Sequence, residues 1–151
     1  MWAQSWPASG FRWNETLLVP WKMLGLAVHI TALLTVTRYR DTLLSLVVPD
    51  DAADSDKRIE TNSFNFALAL TYIAVIVSAF ALVTARTIRF GSINFLSALG
   101  HSVSGMLLMA VWLNDAHWAR IWHVFFVFTM VPGLVELIAV LKVWFDGTYM
   151  W

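Results

Sequence analysis

FGSINFLSALGHSVSGMLLMAVWLN, residues 90–114, contains no Asp, Glu, Lys or Arg. A bilayer's hydrocarbon core, about 30 Å thick, is crossed by roughly 20 apolar helical residues. This stretch is therefore long and apolar enough to be a membrane span. Towards the N-terminus, everything between Glu60 and Arg86 is also uncharged and includes the run Phe66 to Val83. Towards the C-terminus, Ile121 to Leu141 carries a single charge, Glu136. A fourth candidate lies nearer the start, where Lys22 and Arg38 bracket the shorter uncharged stretch Met23 to Thr37. It spans only if those two long side chains snorkel to the headgroups, with Leu17 to Trp21 and Tyr39 extending the helix. The alternative is a buried or interfacial helix, against which stands the lack of a wide charged face.

The expected fold class is all-α: a polytopic membrane protein with a four-transmembrane-helix bundle over residues 17–145. The spans are expected near residues 20–40, 64–86, 91–113 and 120–143. Residues 1–16 read as an N-terminal interfacial segment, through Trp2, Trp6, Phe11 and Trp13, and residues 146–151 as a C-terminal tail. One longer loop, from Arg40 to Asn65, carries Asp50, Asp51, Asp54, Asp56, Lys57, Arg58 and Glu60, and its apolar Leu43 to Val48 dips towards the interface. The connections Arg86 to Gly91 and Asn114 to Arg120 are short enough to read as tight helical hairpins.

Composition agrees with this reading. Of 151 residues, 59% are hydrophobic and 13% charged, with a mean hydropathy of +0.66. A water-soluble domain needs more charge on its surface. The net charge is zero, which gives nucleic acid no electrostatic footing. Without cysteine there is no disulfide, thiol catalysis or cysteine-ligated metal. Neither a cleaved signal peptide nor a lipid anchor is expected, because Arg12 is the first basic residue and residue 2 is Trp.

Lys and Arg are balanced between the two sides, so orientation rests on detail. The connection with Arg86 and Arg89 has no acid, whereas the long one holds six acids against four bases, which favours both termini in the cytosol. Asn14-Glu15-Thr16 is a glycosylation sequon, read as an unused match so close to the membrane. Trp112, Trp118 and Trp122 mark one interface, and Trp21 and Trp144 the other.

Helices in lipid associate through small residues and interhelical hydrogen bonds. In the third span Ser97, Gly100, His101, Ser104 and Gly105 share one helical face. Thr129, Pro132, Gly133 and Glu136 do so in the fourth, Thr71, Ala74 and Ser78 in the second, and Gly25, His29 and Ala32 in the first. Three ionisable groups lie on these stripes: His29, His101 and Glu136. At 1.5 Å per residue, His29 lies about 10 Å from Lys22 and Glu136 about 9 Å from Lys142, with His101 deeper. One intramembrane polar cluster is thus geometrically open to them. It could be structural, as a Glu–His hydrogen bond fixing register, or a contact for a partner helix, a proton relay, or a two-His, one-carboxylate metal site. The structural reading is favoured, with no catalytic, metal or cofactor-binding residues expected and no small-molecule substrate. Pro132 is expected to kink the fourth span near Phe128, and Phe125, Phe126 and Phe128 to face lipid or fill space.

The chain resembles the transmembrane protein 107 family. The matching features are Leu18-Val19-Pro20 entering a span with His29 and ending at Arg40-Asp41, then Gly100-His101-Ser102, then Trp122, Val124-Phe125, Pro132 and Glu136. The tail, Asp146 to Trp151, departs from the family's lysine-rich end. The resemblance implies a non-enzymatic scaffold or assembly subunit of the ciliary transition zone, within the Meckel-syndrome module. Its implied partners are membrane lipids, tectonic-like proteins and other transition-zone membrane proteins. On the residues alone, a small proton-coupled transporter or an accessory subunit of another large membrane complex remain open.

Overall fold

The computed structural model describes residues 13–49, 51–84 and 90–145. Among them are four long helices, α1 (Asn14–Arg38), α3 (Asp54–Val83), α4 (Gly91–Leu113) and α5 (Arg120–Phe145), and a short α2 (Arg40–Ser45). Each long helix is long and apolar enough to cross a membrane. Inside hydrocarbon a helix satisfies every backbone group within its own segment, which is why these windows fold this way. No strand occurs among the described residues. The fold is an all-α bundle of four membrane helices.

Local chemistry fixes the helix ends. Asp54 and Asp56 occupy the first turn of α3, where the helix dipole favours negative charge. The carboxamide of Asn114 donates to the carbonyl of Ala110 at the end of α4. Asp115 then takes a left-handed backbone conformation, with φ of 47°, in the turn to α5. Two stretches widen to π-helix, Asn14–Leu18 in α1 and Phe125–Met130 in α5. Each ends two residues before a proline, Pro20 or Pro132. A proline inside a helix donates no hydrogen bond and its ring crowds the carbonyl four residues back; a widened turn relieves both. The second of these covers Phe128, near which a kink was expected.

The helices form a ring in the order α1, α3, α5, α4. The most extensive interface joins α1 to α4, and α3 lies along α5. Residue numbers rise together across both pairs, so each pair is parallel: Lys22 meets Asn94 and His29 meets His101, while Phe64 meets Trp118 and Ala74 meets Gly133. Two expectations change here. First, α3 and α4 do not form a tight hairpin; they stand across a diagonal, with little contact among their described residues. Residues 85–89, with Arg86 and Arg89, lie outside the described set. Second, much of the long connection is helical. Asp54, Asp56, Lys57, Arg58 and Glu60 lie on the first turns of α3, which begins well before the expected span start at residue 64. Leu43 and Leu44 of α2 are buried against the core that includes Leu33, Val36, Phe64 and Leu108. Leu46, in the same apolar stretch, is exposed.

The interfacial tryptophans divide. Trp118 is buried edge-on to Phe64, Trp122 donates to Ser63, and Trp112 lies against Tyr39. Trp144 is exposed. Phe125 is buried and Phe126 exposed, so the aromatic run splits between packing and lipid. Trp2, Trp6 and Phe11, and the tail from Asp146, lie outside the described residues.

Candidate functional site: a polar interior between the helices

The stripes of small and polar residues face inward. Ala98 and Ser102 of α4 close on Gly25, where a Cβ would stand 2.9 Å from the Ala98 carbonyl oxygen. Gly105 packs on His29, where a Cβ would lie 2.9 Å from the backbone nitrogen. Gly100 fits over Pro132, where a Cβ would sit 2.7 Å from the carbonyl oxygen of Phe128. That carbonyl stands four residues before Pro132, which has no N–H to offer it, so a glycine on α4 is what lets the helix close over it. Gly133 is looser, 3.3 Å from Ala74 Cβ by the same measure. Ser104 and Thr129 share a hydrogen bond of 2.9 Å between α4 and α5. Bonds of this kind average about 0.6 kcal/mol in membrane bundles.

The structure places His29, His101 and Glu136 in the interior, all three at 0% exposure. Their hydrogen bonds divide them into two sets. His29 and His101 meet each other, Nδ1 to Nδ1 at 2.9 Å, with the rings tilted by 47°. In that contact one ring donates its Nδ1–H and the other accepts. For neutral rings, one Nε2 is then a bare acceptor and the other an N–H donor. Both Nε2 atoms are buried with no partner among the described residues.

Glu136 bonds to neither histidine. Its Oε1 accepts from the ammonium of Lys22, both side chains being fully buried. Lys22 also reaches Asn94 Oδ1 at 3.4 Å, and Asn94 Nδ2 donates to Asn14 Oδ1 at 3.0 Å. This overturns two expectations. Lys22 does not snorkel to the headgroups, because a carboxylate within the bundle holds its charge more strongly than a detour to water would. The Glu–His pair is replaced by Lys–Glu and His–His pairs. The ion pair runs from α1 to α5, across a diagonal of the ring, and so ties two helices that otherwise touch little.

Sequence reasoning passed over Lys22, Asn94 and Asn14. A signal for the first two was present: Lys22 precedes Gly25 and His29 by three and seven residues, and Asn94 precedes Ser97 and His101 likewise, on the same faces. The Asn14 carboxamide of the sequon is buried and accepts from Asn94, so it faces the bundle rather than solvent. Trp21 donates to Ser102 at 3.1 Å, an α1–α4 bond beside the pair. Ser78 Oγ, Ser97 Oγ and Glu136 Oε2 are buried with no hydrogen-bond partner among the described residues.

Among the described residues, no three His, Asp or Glu side chains converge as metal ligands would. The two histidines and Glu136 are therefore not arranged as one ligand set. The interior holds a buried ion pair and hydrogen bonds that run between helices.

No curated protein and no solved structure matches the chain significantly. The profile of the family described as TMEM107, transmembrane protein, matches residues 18–140, from the first span into the last. The matched stretch takes in Lys22, His29, Asn94, His101 and Glu136. The chain is an integral membrane protein that belongs to the transmembrane protein 107 family.

Proposed function

We propose that the protein is a non-enzymatic scaffold or assembly subunit of the ciliary transition zone, acting in the gate that controls ciliary membrane content. The observation that carries this reading is the family match over residues 18–140, joined to the resemblance in the spans. The arrangement of the bundle fits it. Lys22 with Glu136 and His29 with His101 face one another inside the bundle, and the outer faces carry Phe66, Ile73, Ile76 and Phe80 on α3, and Leu134 and Ile138 on α5. Such faces suit lipid and the helices of other membrane proteins, with tectonic-like and Meckel-syndrome-module components as partners. On this reading both termini lie in the cytosol.

Fluorescently tagged protein in ciliated cells should form a ring at the ciliary base and copurify with transition-zone membrane proteins. A diffuse plasma-membrane signal, or recovery with an unrelated membrane complex, would contradict the reading. The buried Lys22–Glu136 and His29–His101 pairs favour a second reading, a small proton-coupled carrier. In reconstituted vesicles Glu136→Gln should then abolish proton flux; a scaffold carries no flux to lose.

A further inference from the structure

The ion pair leaves one carboxylate oxygen over. Glu136 is fully buried, and while Oε1 takes the Lys22 ammonium, Oε2 has no partner among the described residues. Two more buried oxygens share that condition, Ser97 Oγ on α4 and Ser78 Oγ on α3. Helix register brings all three to one level. The helices α4 and α5 run antiparallel, with Ser104 opposite Thr129 and Gly100 opposite Pro132. One turn further along, the same register puts Ser97 opposite Glu136. The helices α3 and α5 run parallel, with Ala74 against Gly133. One turn on, Ser78 comes level with Glu136 and Leu137.

Buried polar atoms in native proteins almost always have a partner, through protein or bound water. A buried ion pair in particular is sustained only when its remaining lone pairs are met. Here the open groups are a carboxylate oxygen, which accepts, and two hydroxyls, which can donate or accept. A metal cation would compete with the Lys22 ammonium that already matches the carboxylate, and an anion would be repelled by Glu136. A small neutral molecule with donors and acceptors meets all three, and a buried water typically makes two to four such bonds.

We propose that α3, α4 and α5 hold an internal water between Glu136 Oε2, Ser78 Oγ and Ser97 Oγ, completing the hydrogen bonding of the Lys22–Glu136 pair. The site is independent of the ciliary reading, since it concerns how any function's bundle keeps its charges within the membrane.

Water-edited solid-state NMR on the full chain in lipid bilayers, with 13C-labelled Glu, Ser and Leu, tests it. The Glu136 carboxyl carbon and Ser97 Cβ should receive magnetisation from water several-fold faster than Leu134, which faces outward on the same helix as Glu136. Glu136→Gln identifies the carboxyl signal. Ser78→Ala with Ser97→Ala, checked for helix content, should slow the transfer to Glu136. Transfer to Glu136 no faster than to Leu134 in the unmodified protein would overturn the proposal, whatever the variants do. Transfer unchanged in the folded double-serine variant would also overturn it, as would transfer that requires Na+ or K+ and is lost in choline buffer.

Discussion

Replacing Lys22 by Met should destabilise the bundle by about 3–5 kcal/mol, the cost of stranding one partner of a buried ion pair. The charge left behind is Glu136, fully buried, whose carboxylate loses the ammonium it accepts from. Glu136→Leu should cost less. The stranded ammonium keeps Asn94 Oδ1 at 3.4 Å, and its long stem can carry the charge towards the headgroups. A hydrogen bond to a charged group contributes about 1.5–3 kcal/mol, so the two single variants should differ by roughly that amount. The double variant, Lys22→Met with Glu136→Leu, removes both charges and fills the space with apolar atoms. Its stability should return to within about 1–2 kcal/mol of the original, because swapping a buried pair for hydrophobes is often close to neutral. Reversible unfolding in lipid–detergent mixtures, followed by circular dichroism for all four proteins, gives the double-mutant cycle. A coupling of several kcal/mol is expected. Strict additivity, or a coupling below about 0.5 kcal/mol, would show that Lys22 and Glu136 do not hold each other.

Other outcomes follow from the packing. Gly100→Ala should cost about 1–3 kcal/mol, since its Cβ would press on the backbone carbonyl of Phe128 at 2.7 Å. Gly133→Ala meets only Ala74 Cβ at 3.3 Å, so the same unfolding assay should find a smaller loss. For orientation, the chain has no cysteine of its own, so single replacements report cleanly. Asp115→Cys, in the exposed turn after α4, should react with an impermeant maleimide on intact cells. Ser92→Cys, exposed at the start of α4, should react only after permeabilisation; the reverse pattern would invert the topology.

Much of the architecture could be read in advance. The charge-free windows 61–85 and 90–114 mark the second and third spans, and the stripe Ser97, Gly100, His101, Ser104, Gly105 turns inward as its spacing requires. What the sequence did not reveal was pairing between helices. A lysine at the edge of an apolar run reads as a headgroup anchor, because its own span carries no acid to meet it. Glu136 lies far along the chain, on the last span, and only the ring order brings it to Lys22. That ring order was hidden too, since a short connection permits neighbours or diagonal partners alike. Glu136 and His101 lie within reach of each other by depth alone, but depth does not say which partner each takes. The carboxylate follows the full positive charge of Lys22, and the histidines are left to each other.

The stripes of small and polar residues on the four spans face one another inside the bundle, and Ser104 with Thr129 tests this most directly, their oxygens lying 2.9 Å apart between α4 and α5. With both changed to cysteine in a chain that has no other, mild oxidation in native membranes should close an intramolecular disulfide. The outward pair Met106→Cys with Val131→Cys should not close. Failure of the inner pair to close, or crosslinking between two chains instead, would contradict the inward packing.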